Sequence, residues 1–152
     1  MNSTFNGFRN DFAFLSNFHP VHLTFEGERY TSSEHAYQSA KTLDPWEKRM
    51  IREAPDPGRA KKLGKGVKIR PDWESIKLSV METILRSKFE NPWLRSLLID
   101  TGELELVETN TWSDTFWGVC NGVGENNLGK LLMKIRDEVR IEVEQEQKDF
   151  KQ

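Results

Sequence analysis

Apolar residues recur at helical spacing in two long stretches of the chain. After Asp72, the residues on one broad face are Trp73, Ile76, Val80, Met81, Ile84, Leu85 and Phe89. After Asn126-Asn127, the corresponding residues are Leu128, Leu131, Leu132, Ile135 and Val139. Intervals of three and four residues are typical of a helix that buries one side. We therefore predict two long helices, the first capped by Asp72 and the second by Asn126 or Asn127.

Two further segments alternate between polar and apolar residues, as strands do. Val21 to Tyr30 alternates around Glu26-Gly27, which predicts two short strands joined by a tight turn. Glu103 to Glu108 alternates as well and predicts another strand.

Proline marks the boundaries of three shorter helices. Asp44-Pro45 and Asp56-Pro57 each supply an N-cap and a first-turn proline, for helices that end near Glu53 and at Leu63-Gly64. Asn91-Pro92 ends the helix that starts at Asp72, and a short helix follows from Trp93 to Asp100. Together these elements predict an α+β fold, a predominantly helical single domain with a small antiparallel sheet. Its expected range is 1–152, with a core at about 5–139 and a charged helical extension at 140–152.

Composition fits one globular domain in a reducing compartment. The 152 residues are 36% hydrophobic and 30% charged, which excludes a disordered or membrane-embedded chain. Met1 to Asp11 lacks a basic start followed by an apolar stretch, so we expect a cytoplasmic protein without membrane partners. Cys120 is the only cysteine and excludes an internal disulfide.

The formal net charge of −2 hides a basic stretch that contains no acidic residue. It is either a solvated face or a surface that meets phosphates. Its cations are Arg59, Lys61, Lys62, Lys65, Lys68 and Arg70.

A helix is predicted after Thr31-Ser32-Ser33, reaching about Leu43, with Leu43 turned toward the core. Glu34, Gln38 and Lys41 lie four and three residues apart, so they share one stripe of this helix. Such a stripe is either solvent face or pocket wall. Glu34 also fits a capping box with Thr31 as N-cap, which is a purely structural alternative.

Two loops also carry candidate chemistry. In Asn110 to Gly118, aromatic residues surround Asp114, either because the loop folds onto the core or because it forms an aromatic pocket that stacks a base. Gly124 to Leu131 resembles a P-loop but lacks its Ser or Thr, so only anion binding at a helix N-terminus stays open. The three histidines and Cys120 form no ligand set, and we predict neither metal nor cofactor.

Several motifs in order resemble those of the YbiA-like, or NADAR, family across about Phe5 to Val139. They are Phe14 to Phe18 (FLSNF), Thr31 to Lys41 (TSSEHAYQSAK), Pro71 to Met81 (PDWESIKLSVM), Asp114 to Gly118 (DTFWG) and Asn126 to Arg136 (NNLGKLLMKIR). The resemblance implies an N-glycosidase of NAD and ADP-ribose metabolism. Its substrate would be a small nucleotide-like molecule, a phosphoribosylamine of riboflavin synthesis or ADP-ribosylated guanine, the latter free or in nucleic acid. The alternative is a non-catalytic module that binds ADP-ribose or a related nucleotide.

The resemblance also assigns roles by position. It implies Glu34 as the catalytic carboxylate, Asp114 as the acid beside Trp117, and Lys41 as the lysine that closes the Ser-Glu-His segment. It implies Trp73 and Trp117 as aromatic walls. Further predicted substrate contacts are Arg9, Asn17, Phe18, Lys77 and Gly118.

Cleavage of a ribosyl C–N bond builds positive charge on the sugar carbon, which a nearby carboxylate stabilises. Glu34 would therefore assist attack by water. Alternatively, a neutral Lys41 amine would attack the ribose aldehyde carbon and form a Schiff base.

Overall fold

The computed structural model describes residues 4–151, so the first three residues and the last residue of the predicted domain lie outside it. Its strands are β1 (Thr4–Asn6), β2 (Leu23–Phe25), β3 (Glu28–Tyr30) and β4 (Glu105–Val107). Its α-helices are α1 (Ser33–Ala40), α2 (Pro45–Arg52), α3 (Pro57–Gly64), α4 (Trp73–Lys88), α5 (Pro92–Asp100) and α6 (Asn127–Lys151). A 3₁₀ helix spans Asn10–Leu15. The predominantly helical α+β class and the small antiparallel sheet are confirmed.

The described residues form two compact units. One is continuous, Ser16–Glu90; the other combines the chain before residue 16 with the chain from residue 91 onward. We call them the central unit and the terminal unit. No described helix is long and apolar enough to cross a membrane.

The central unit begins with the predicted hairpin, in which β2 and β3 pair antiparallel. Its turn places Glu26 and Gly27 at φ +51° and +81°, the left-handed region that a tight two-residue hairpin turn requires. The hairpin therefore follows from local sequence alone.

Helix α1 is the centre of this unit, because it packs against α2, α3 and α4. All eight of its residues are buried, including the polar ones. The helix ends at Ala40 rather than near Leu43. Leu43 is consequently 60% exposed, and its predicted place in the core is wrong.

Helices α2 and α3 start as predicted, because the carboxylates of Asp44 and Asp56 accept hydrogen bonds from first-turn N–H groups. Asp72 precedes α4, but its carboxylate pairs with Arg70 and makes no capping hydrogen bond. The inward face of α4 is confirmed at Trp73, Met81, Ile84, Leu85 and Phe89, all of which are buried.

In the terminal unit, α6 packs against β4 and α5 and buries Leu128, Leu132, Ile135 and Val139. The sequence pattern identified β4, but not its parallel pairing with β1. Asn126 precedes α6, and its side chain bonds the backbone at Leu106 and Glu108 instead of capping the helix.

Candidate active site

Glu34 is a buried carboxylate near the start of α1, with 7% of its surface exposed. The N-cap of α1 is Ser32, whose extended backbone lets its hydroxyl accept from the N–H of His35. The predicted capping box is therefore wrong, because Thr31 lies one residue too early and Glu34 does not occupy the third position. The Glu34 N–H donates to Asn17 O at 3.0 Å. Capping does not explain why a carboxylate is buried here.

Gln38 holds the Glu34 carboxylate, since its Nε2 donates to Glu34 Oε1 at 2.8 Å. Gln38 is itself buried and lies against Gly64 of α3. A Cβ at position 64 would lie 2.7 Å from Gln38 Cδ, closer than real contacts allow. Gly64 was predicted as the residue just past the end of α3. The structure places it inside the helix, where its missing side chain makes room for Gln38.

Gly64→Ala is therefore expected to displace the Gln38 amide and release the Glu34 carboxylate. Overpacking of this kind costs about 1–3 kcal/mol of unfolding free energy, and we expect kcat to fall about tenfold or more because the carboxylate loses its orientation. The control is Gly66→Ala, where a Cβ would make only an ordinary contact, 3.7 Å from Leu63 O. Urea unfolding and steady-state kinetics of both variants measure the effect. Unchanged kinetics in Gly64→Ala would show that Gln38 does not orient Glu34.

Lys41 follows the last residue of α1 and continues its helical backbone conformation. Burial lowers the pKa of the Lys41 amine, the nearby charges of Lys61, Lys65 and Lys77 lower it further, and Glu34 opposes the shift. The structure thus places Glu34 near four lysines: Lys61 on α3, Lys77 on α4, and Lys41 and Lys65 directly after α1 and α3. We call Lys41, Lys61, Lys65 and Lys77 the lysine cluster. Two of its members, Lys61 and Lys65, belong to the basic stretch.

Aromatic rings lie beside these lysines. The Lys41 Nζ lies 5.6 Å from the Tyr37 ring centroid, and Lys61 Nζ lies 6.0 Å from that of Phe18. Tyr37 packs on Trp73 with ring centroids 5.2 Å apart. Trp73 is only 4% exposed, so little of its indole is open to a substrate. Tyr37 lies four residues before Lys41 and is buried as well.

Two further predicted residues also lie in the central unit. Asn17 bonds the start of α1 through its carbonyl, and its side-chain Nδ2 contacts Met81 Sδ at 3.7 Å. Its Oδ1 is enclosed and has no hydrogen-bond partner among the described residues. Lys77 is half-buried and pairs with Glu74 at 2.6 Å.

Asp114, Trp117 and Gly118 lie together in one loop of the terminal unit. Asp114 Oδ1 accepts from the N–H groups of Phe116 and Trp117 at 3.1 and 2.9 Å. Phe116 and Trp117 pack edge to face at 4.8 Å, whereas Trp112 is 57% exposed. A loop folded onto the core and an aromatic pocket would both shelter Trp112, so neither alternative holds for this residue.

The glycine-rich loop does not present a free helix start. The first N–H groups of α6, at Asn127 and Leu128, donate to Phe116 O and Trp117 O. These donors are used within the protein, so the open possibility of anion binding there loses its basis. Gly118 is needed for close packing, because a Cβ would lie 2.8 Å from Asn110 Nδ2. Arg9 is exposed in the same unit.

The residues considered as metal ligands have other contacts. His35 is buried, and its ring nitrogens bond Ser32 Oγ at 2.6 Å and Ala54 O at 3.0 Å. Because a carbonyl only accepts, His35 Nε2 must donate. Cys120 is buried. In the part of the chain that the structure describes, no group of three His, Cys, Asp or Glu side chains is placed to hold a metal ion.

Comparison with known proteins gives consistent matches along most of the chain. The sequence profile of the NADAR domain matches residues 4–140. The chain is 39% identical over 136 residues to the N-glycosidase YbiA of Shigella boydii, a match that covers 87% of this chain and 84% of that protein. It is 38% identical over 131 residues to a riboflavin biosynthesis protein of Vibrio vulnificus, covering 84% of this chain but 35% of that protein. The NMR structure of Escherichia coli YbiA superposes with a TM-score of 0.83 at 36% identity, covering 93% of this chain and 88% of that chain.

Proposed function

The chain belongs to the NADAR family, and from this premise we propose that it cleaves a ribosyl C–N bond in a phosphate-bearing substrate. The enzyme is a hydrolase that acts on N-glycosyl bonds, as its relatives named N-glycosidase are. We propose an ADP-ribosyl or phosphoribosylamine compound as the substrate. The observation that carries this proposal is the buried Glu34 carboxylate, oriented by Gln38 and flanked by the lysine cluster.

Glu34 suits the charge that develops during cleavage. As the C–N bond breaks, positive charge grows on the sugar carbon, and a fixed carboxylate stabilises it without having to reorient. Burial strengthens this interaction, because little water screens the carboxylate. Asn17 Oδ1, an enclosed acceptor without a partner among the described residues, fits a sugar hydroxyl as its donor.

The lysine cluster supports a substrate that carries phosphate. Lys41, Lys61 and Lys77 are half-buried and Lys65 is exposed. The lysine cluster therefore extends from partly buried positions to the protein surface. Four cations against the carboxylates of Glu34 and Glu74 leave an excess of positive charge, which attracts an anion. The Phe18 ring beside Lys61 is 43% exposed and offers apolar surface to a base or sugar, and we propose the largely buried Tyr37–Trp73 pair as the aromatic wall behind the lysine cluster.

The terminal-unit residues keep the roles that the family resemblance assigns, as proposals. Asp114 would protonate the leaving nitrogen, and any such transfer uses Oδ2, because Oδ1 accepts two backbone N–H groups. We propose Trp117 as a stacking surface and Arg9 as a phosphate contact. Gly118 would act through the close packing of its loop.

The test is a substrate panel that contains phosphoribosylamine intermediates of riboflavin synthesis and ADP-ribosylguanine, the latter free and in an oligonucleotide. We expect release of a base or amine, detected by chromatography, from at least one of them. Glu34→Gln under the same conditions controls for spontaneous hydrolysis. Binding in calorimetry without release from any panel member would instead identify a non-catalytic nucleotide-binding module.

A further inference from the structure

Lys88 is the last residue of α4 and is completely buried, with 0% of its surface exposed. Its Nζ donates to Ser16 O at 2.9 Å and lies 5.2 Å from the Phe89 ring centroid. Burial lowers the pKa of Lys88 to about 7. A titratable group near it is His19, whose pKa is lowered by burial and then by Lys88.

A buried amine at this position is unfavourable for folding. Transfer of an ammonium group out of water costs far more than one hydrogen bond to a neutral carbonyl returns. A methionine would fill similar space without that cost. The stability of the fold therefore does not explain why a lysine is buried here. Residues that lower stability in this way are typical of functional positions.

The segment that accepts this hydrogen bond also binds the backbone of Glu34, the proposed catalytic residue. Ser16 O accepts from both Lys88 Nζ and His19 N, and Ser16 Oγ accepts from Phe18 N at 3.0 Å. The next carbonyl, that of Asn17, accepts from the N–H of Glu34. Two consecutive carbonyls thus tie one short segment to the end of α4 and to the start of α1.

We propose that Lys88 is a positioning residue: its bond to Ser16 O holds the segment Ser16–His19 so that the Asn17 carbonyl stays bonded to the Glu34 N–H and the Phe18 ring stays beside Lys61. The proposal rests on the proposed function in taking Glu34 as the catalytic carboxylate. The Lys88 side chain itself does not need to touch the substrate.

The test replaces Lys88 by Met, which fills the space but cannot donate. We expect kcat to fall about 10- to 100-fold, because small displacements at a reacting centre have effects of that size, while KM changes about threefold or less. The thermal midpoint should stay or rise, since the buried amine is gone. The matched control is Lys48→Met, because Lys48 Nζ also donates to a backbone carbonyl, Ser39 O at 3.2 Å, but does not touch the segment. Its kcat should stay within about twofold.

Amide hydrogen exchange tests the positioning independently of activity. In Lys88→Met, the Glu34 N–H should exchange at least about tenfold faster relative to the Lys41 N–H at the other end of α1. Ser16→Ala, which removes the bond to Phe18 N, should produce the same selective change. The proposal is overturned if the Glu34 and Lys41 amides of Lys88→Met change their exchange rates equally. It is also overturned if kcat is unchanged, or if activity falls only in proportion to a lower thermal midpoint. An inactive wild-type enzyme would refute the proposed function, whereas unselective exchange would refute the role of Lys88.

Discussion

Glu34→Gln is expected to reduce kcat about 1000-fold while the thermal midpoint changes by only a few degrees. The replacement has the same shape, and its carbonyl oxygen still accepts the hydrogen bond from Gln38 Nε2. Only the negative charge is lost, and with it the stabilisation of the cationic sugar. Steady-state kinetics on the substrate identified by the panel, together with thermal melting, measure the two quantities separately.

Glu47→Gln is the matched control for this variant. The Glu47 carboxylate also accepts from a side chain, Thr42 Oγ1 at 2.6 Å, but it belongs to α2 and not to the proposed site. Its turnover should stay within about threefold of the wild type. If Glu34→Gln keeps full turnover, or loses it only in proportion to unfolding, Glu34 is a structural residue and the proposed chemistry is wrong.

Lys41→Met is expected to lower kcat about 100-fold or more if the amine forms a Schiff base with the sugar. A nucleophilic amine must be neutral, and the lowered pKa of Lys41 increases the neutral fraction at physiological pH. The rate should therefore rise with pH through the Lys41 pKa, at a midpoint below the ordinary lysine range. Borohydride added during turnover should leave a ribose-derived adduct on Lys41, identified by peptide mass spectrometry.

Lys62→Met controls for the loss of a positive charge, because Lys62 is an exposed cation of α3 outside the lysine cluster. It should leave both the rate and the adduct unchanged. If no adduct forms and Lys41→Met keeps most of its rate, attack by water assisted by Glu34 is the remaining route.

Local patterns predicted the elements whose boundaries depend on neighbouring residues. The proline-marked starts of α2 and α3 and the turn at Glu26-Gly27 are examples. The start of α1 was missed by one residue, because three consecutive hydroxyl residues offer three candidate caps and only the extended backbone of Ser32 selects one. The spacing of Glu34, Gln38 and Lys41 predicted one polar stripe. Residue spacing alone could not decide whether this stripe faces solvent or a pocket.

Contacts between distant segments could not be predicted from the sequence. Nothing near Gly64 indicates that its missing side chain accommodates Gln38, 26 positions earlier. Lys88 follows an amphipathic pattern in which a lysine normally marks the solvent side, and no local signal indicates that its amine meets the carbonyl of Ser16, 72 positions earlier. The parallel pairing of β1 with β4 joins two strands about 100 residues apart in the chain, beyond any local pattern.

The complete burial of α1 has a consequence for how new substrate preferences arise in this fold. A helix without an exposed face cannot accept a substitution unless a neighbouring helix changes with it, so single mutations in α1 should be mostly inactivating. Lys65, directly after α3, is exposed and Lys77 on α4 is half-buried, so both can vary without repacking the interior. Directed evolution toward other glycosides is therefore expected to accumulate early mutations on α3 and α4, with the catalytic helix left unchanged.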